Sequence, residues 1–269
     1  MSSADKEVLN MTSRNSLRCE ECSVLVEGPN LEDFSDAYLA HARSQHPEWP
    51  FPDLAVRNFA EATQRLTGAT ERLETIGTVT IHPVGSSRIP DWLTFFDHDA
   101  FAGNPVDAVC YCSGPHLLGR GQTGGELRPW RQNRQLMVDL LSSGRAFGYL
   151  AYVDGTPAGW VNASKRAECS MYRTGDAADP PDSDVISLSC FGIAPPYRGH
   201  GLVSSLLRRV LADAAGRGTA WVESYPFNDQ TNVDEDNWRG PRSLYDAFGF
   251  EQVEKRESYS VLRRRVDDQ

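Results

Sequence analysis

No stretch of this chain approaches the roughly 20 consecutive apolar residues that cross a bilayer as a helix, and Met1 to Arg18 lacks the apolar core of a secretory leader. A cytoplasmic protein without a membrane partner is the resulting expectation. No run of clustered Lys and Arg occurs, and 27 basic residues against 37 acidic ones leave a net charge of −10. That charge repels phosphate backbones and argues against a nucleic-acid partner. Cysteine is scarce: six thiols in a chain read as non-secreted stay reduced, and serve as ligands, core residues or reactive groups rather than a disulfide framework. No internal repeat is present. What is there, 40% hydrophobic and 24% charged residues, has globular proportions, and 269 residues suffice for one ordinary domain with a small appendage.

Four segments follow from patterning. Residues 1–16, polar and without periodicity, read as a mobile tail. Residues 17–48 read as a hairpin followed by a helix, with Leu31, Phe34, Tyr38 and Leu39 on one face and Pro47 as the stop. Residues 49–77 form a helical connector that starts at Asp53. Residues 78–269 hold a longer mixed pattern, β, α, α, β, β, β, α, β, α, β, in which Asp154-Gly155 turns a hairpin. The fold class expected is α+β, a mixed and mostly antiparallel sheet flanked by helices, preceded by a small ββα-like module.

The most informative stretch is Phe191-Gly192-Ile193-Ala194-Pro195-Pro196-Tyr197-Arg198-Gly199-His200-Gly201-Leu202-Val203. It reads as a buried strand, a tight turn with two glycines and an amphipathic helix. Such a turn aims backbone N–H groups into a concavity at a helix N-terminus, where the helix dipole also favours an anion. This wording resembles the pyrophosphate motif RxxGxG of the GNAT acetyltransferase superfamily, with Arg198 and Gly201 matching and Val203 standing where that family has Gly or Ala. The resemblance implies acetyl-CoA as co-substrate, held by Phe191, Ile193, Arg198, Gly199, His200, Gly201, Leu202 and Val203.

A second block, Leu244-Tyr245-Asp246-Ala247-Phe248-Gly249-Phe250, resembles the family's LYxxxGF segment, whose Tyr protonates the departing thiolate. Tyr245 is therefore the first catalytic candidate; an unperturbed phenol, with a pKa of about 10, is a proton donor at neutral pH. Trp238 occupies the position where many members carry Asn, so no role passes to Asn237. Attack of an amine on a thioester also requires a neutral amine and an oxyanion site. Glu223 is the candidate base, or else a structurally paired carboxylate. Cys190 is a core thiol or an acyl acceptor. Asp229, Asp234, Glu235 and Asp236 would attract a cationic amine, or are simply solvated, and Asp97, His98 and Asp99 either contact the acceptor or finish a helix.

Near the start, Cys19-x-x-Cys22 and His41-x-x-x-x-His46 are separated by 18 residues. A cysteine pair on a hairpin knuckle and two histidines near a helix end can close a tetrahedral zinc site. A site with four protein ligands has no open position, so the metal would be structural. Acidic Glu32, Asp33 and Asp36 on the helix speak against DNA reading. Cys110-x-Cys112, placed on a strand, with His116 is a weaker metal candidate. The function expected is transfer of acetyl from acetyl-CoA to a primary amine of a small molecule in a ternary complex; the alternative is a non-catalytic acyl-CoA sensor whose zinc module docks a protein.

Overall fold

A computed structural model describes residues 15–117, 119, 127–175, 177–229 and 238–266. β1 (Asn15–Arg18) and β2 (Leu25–Gly28) form an antiparallel pair, followed by α1 (Leu31–Gln45) and α2 (Asp53–Arg65). Asn30 caps α1 by accepting the Asp33 N–H at 2.9 Å. Phe34, Tyr38 and Ala42 of α1 pack against Val56 and Ala60 of α2 and Val26 of β2 in a small core of their own. Gly28 is needed because the α1 backbone at Phe34 fills the space a side chain would take. The segment expected as a connector thus contributes Val56 and Ala60 to this core.

The main sheet has seven strands: β3 (Val79–Pro83), β4 (Gly148–Val153), β5 (Thr156–Lys165), β6 (Val185–Ile193), β7 (Trp221–Ser224), β8 (Glu251–Lys255) and β9 (Ser260–Arg265), in the order β3-β4-β5-β6-β7-β9-β8. All neighbours are antiparallel except β6 and β7. The remaining helices are α3 (Ile89–Thr94), α4 (Gly114–Leu117), α5 (Trp130–Ser142), α6 (Leu202–Ala214) and α7 (Arg242–Ala247). α6 is the crossover that the parallel pair requires. Alternation along the strands divides the core. Tyr149, Ala151 and Val161 face Leu206 and Val210 of α6, whereas Leu150, Tyr152 and Trp160 face Trp92 of α3 and Met137 and Leu140 of α5.

The centre of the sheet splays open. β6 pairs with β7 only along Val185–Leu188. On its other side the ladder to β5 shifts register, Asn162 opposing Cys190 and Ala163 opposing Leu188, so Ser189 is an extra residue. Beyond it β6 keeps a single neighbour, and the gap beside it is entered by Trp238, whose carbonyl accepts the Phe191 N–H at 2.7 Å. Cys110-Tyr111-Cys112, expected on a strand, lies instead in a turn with positive φ at Tyr111 (47°) and Cys112 (58°).

Candidate active site and metal centre

The splay opens into a cleft of ≈ 450 Å³ that brings both sequence motifs to one surface: Phe191, Gly192 and Ile193 from β6, residues 197–199 and 201–204 from the turn and the start of α6, and Trp238, Gly240, Pro241 and Leu244 around the start of α7. Gly199 and Gly201 take φ of 76° and 77°, a region that favours glycine. Gly201 is the N-cap of α6 without a side-chain cap, and the first intrahelical bond is Ser205 N–H to the Gly201 carbonyl. The N–H groups of Leu202, Val203 and Ser204 therefore lack intrahelical acceptors, and all three residues line the cleft. This is an anion-binding terminus on a helix of 13 residues.

Of the expected co-substrate contacts, Phe191, Ile193, Arg198, Gly199, Gly201, Leu202 and Val203 line the cleft. His200 does not. Its Nε2 donates to the Leu73 carbonyl at 2.9 Å, on the outer side of the turn. Arg198 turns its Nε back to the Ile193 carbonyl at 3.1 Å.

Tyr245 is fully buried, and its hydroxyl donates to the Arg239 carbonyl at 2.5 Å. Burial pushes its pKa well up, so the phenol keeps its proton. Gly240, which lines the cleft, is what separates this hydroxyl from the opening: a Cβ there would stand 2.6 Å from the Tyr245 oxygen. Arg239 holds this turn in place. Its guanidinium is completely buried and lies 4.3 Å from the Phe227 ring centre, 4.7 Å from Trp238 and 4.9 Å from Tyr259.

Glu223 is committed elsewhere. One carboxylate oxygen accepts from Arg166 and Arg263 at 2.7 Å each, and the other accepts from the Tyr225 hydroxyl at 3.0 Å. It is 1% exposed and faces a separate polar recess with Arg166 and Arg263 rather than the cleft. Of the two readings of this carboxylate, base or structural partner, the contacts match the second: two guanidinium groups hold it as a counter-ion. Arg166 also binds Asp182, at 2.6 Å, which completes a buried network.

Contact with Cys112, together with burial, pushes the Cys190 thiol far up, so it is a poor nucleophile. Asp97 accepts from Tyr111 and is held by Arg134, and His98 Nδ1 meets the Arg65 carbonyl at 2.8 Å; these groups finish a helix and dock α2. His116 Nε2 faces the Asn162 amide at 3.0 Å, inside the core rather than at a metal position. Asp234, Glu235, Asp236 and Asn237 lie outside the described residues. Asp107 was not singled out by the sequence, yet it is the one carboxylate among the described residues that line the cleft.

Cys19, Cys22, His41 and His46 converge as the spacing suggested, their ligand atoms all within 4.8 Å of one another. Cys19 Sγ lies 3.3 Å from His46 Nε2 and Cys22 Sγ lies 3.4 Å from His41 Nε2. A tetrahedron with arms of about 2.0 to 2.3 Å has edges of roughly 3.3 to 3.8 Å, so the donor set fits zinc. A knuckle in which Ser23 takes φ 61° and its N–H reaches the Cys19 carbonyl presents the thiols, and Trp49 stacks on His46 with ring centres 4.4 Å apart.

Residues 120–250 match the sequence model described as the Acetyltransferase (GNAT) family. That segment is similar in sequence to members of that family. A curated relative, N-alpha-acetyltransferase 40 of Saccharomyces cerevisiae, is 31% identical over 126 residues, which are 47% of this chain and 42% of the relative. The chain thus spans less than half of that relative. Solved structures with lower identity include an N-acetyltransferase from Staphylococcus aureus Mu50, 12% identical over 71% of this chain and 100% of that one with a TM-score of 0.45. Another is the yncA acetyltransferase of Salmonella typhimurium, solved with acetyl-CoA, 13% identical over 71% and 95% with a TM-score of 0.42. Neither superposition is close enough to carry an argument. The expectation of a small-molecule amine acceptor is corrected by the curated relative, which by its name transfers to an α-amine. Among the described residues, no helix is long and apolar enough to cross a membrane.

Proposed function

We propose that this chain is an acetyl-CoA-dependent GNAT N-acetyltransferase whose acceptor is the α-amine at the N-terminus of a polypeptide. The observation that carries the reading is the single cleft joining the glycine turn at the start of α6 to the Gly240–Leu244 segment. The free N–H groups of Leu202 to Ser204 and the paired positive φ at Gly199 and Gly201 fit the diphosphate of the co-substrate, which supplies an activated acetyl thioester. The open half of β6, from Cys190 to Ile193, orients the acyl end along exposed backbone beside Phe191 and Gly192.

An α-amine also suits the polarity of the cleft. Its ordinary pKa of about 7.7 to 8.0 leaves a useful neutral fraction near pH 7.5, whereas a lysine side chain near 10.4 leaves almost none. No imidazole stands among the described residues lining the cleft, and Asp107 is the one carboxylate. Asp107 receives the incoming ammonium and accepts its proton as the amine becomes nucleophilic. Tyr245 holds a proton behind Gly240 and delivers it to the leaving thiolate, exchanging its bond to the Arg239 carbonyl as it does so.

Release of CoA thiol in the presence of a peptide acceptor tests this reading. In Tyr245→Phe it falls by about 10²-fold or more, with KM for acetyl-CoA unchanged; a variant with wild-type turnover removes Tyr245 from the role. A non-catalytic acyl-CoA sensor would bind CoA and release no thiol with any peptide. The module of residues 15–65 is proposed to hold structural zinc through Cys19, Cys22, His41 and His46.

A further inference from the structure

Between α2 and β3 the chain does not simply link two units. Residues 66–77 run past the glycine turn and are hydrogen-bonded to it through Leu73. Gly68 N–H donates to the His98 carbonyl at 3.1 Å, and Leu73 N–H donates to the Pro196 carbonyl at 2.9 Å. His200 Nε2 donates to the Leu73 carbonyl at 2.9 Å. Residue 73 is thus fixed by its own N–H and C=O to the two ends of the turn, and the side chain of the preceding residue is carried over it.

That residue is Arg72. Its guanidinium lies on Gly199: a Cβ added there would come within 3.0 Å of Nη1 and closer still to Nη2. Arg72 is exposed, and neither Glu71 nor Glu74, its neighbours in sequence, forms an ion pair with it. The motif's own arginine, Arg198, sends its Nε to the end of β6. Beside Arg198, which lines the cleft, a second cation thus reaches the glycine turn from the segment that joins the N-terminal module to the sheet.

We propose that Arg72 is a co-substrate-binding residue that pairs with the diphosphate of the acyl-CoA seated on residues 199–204. The proposal rests on the coenzyme reading above. A guanidinium matches phosphate oxygens through two parallel N–H donors, which adds a second cationic side chain, beside Arg198, to a turn of backbone donors. Gly199 is then doubly constrained, by its left-handed backbone and by the side chain that crosses it. His200, expected among the co-substrate contacts, acts at one remove by anchoring the strap that carries Arg72.

Binding of free CoA and of dephospho-CoA to the full chain, measured by calorimetry, tests the assignment. Arg72→Gln is expected to weaken both about tenfold, with an unchanged melting temperature for the free protein, and Arg72→Lys to recover part of the loss. In turnover, KM for acetyl-CoA rises while kcat holds. Wild-type affinity in Arg72→Gln overturns the proposal. So does a loss that vanishes with dephospho-CoA, which would assign Arg72 to the 3′-phosphate, and so does a loss with early melting that Arg72→Lys does not repair. If the wild-type chain binds no CoA, the coenzyme reading itself fails, and that result is distinct from all of these.

Discussion

Asp182 and Glu223 share Arg166 beneath the sheet, where nothing in the local sequence announced a network. Burial alone would raise the Asp182 pKa. Hydrogen bonds from the Thr174 hydroxyl, from the Gly175 and Thr174 N–H groups, and from Arg166 outweigh that and hold it below the usual carboxylate range. A depressed folded pKa contributes stability that is complete above the unfolded value of about 3.9 and is lost as pH falls through the folded value. Asp182→Asn should therefore lower stability at pH 7 and flatten the acid limb of a melting profile below about pH 4. An acid limb identical to wild type would contradict this. Glu223→Gln leaves Arg166 and Arg263 without full compensation, and should cost about 3–5 kcal/mol of unfolding free energy in denaturant titration. A base acting in catalysis would instead lose turnover with stability intact.

At the scale of elements, most of the fold was legible. The strand at 185–193, the helix from Leu202, the hairpin at Asp154-Gly155 and the ligand spacing of the N-terminal module all obey local rules of periodicity, capping and turn chemistry. The misses have another origin. The Cys110–Cys112 turn has no side-chain pattern that marks its two positive φ values. The strap at 66–77 has no regular structure, and only its hydrogen bonds to Pro196 and His200 reveal its place. The burial of Arg239 has no local signal in the sequence, because its aromatic surround, Tyr172, Phe227 and Tyr259, is gathered from distant segments. Metal belongs to this scale as well. α1 and α2 share a small core, so removing zinc with a chelator should melt residues 15–65 ahead of the sheet, and Cys22→Ser should do the same. Elemental analysis should find one zinc per chain; a metal-free protein with an unchanged melting curve would refute the site.

Across the whole molecule, the N-terminal module is braced against the segments that flank the main sheet rather than tethered to them. Arg65 reaches the Ala108 carbonyl and the Tyr111 hydroxyl and lies 4.4 Å from the Trp130 ring, while Trp130 donates to Glu61 at 2.7 Å. The strap then continues from this joint to the glycine turn. Loss of the module's fold should therefore raise KM for acetyl-CoA as well as lower stability. The acceptor is the point on which the account stands. Mass spectrometry of peptides incubated with the enzyme and acetyl-CoA tests it most directly, with each peptide offered in free and N-terminally blocked form and each containing an internal lysine. The account predicts a single acetyl group on the free α-amine, at a rate that climbs toward pH 8 as that amine loses its proton, and none on the blocked peptide. Acetylation of the lysine in the blocked peptide at a comparable rate would contradict it.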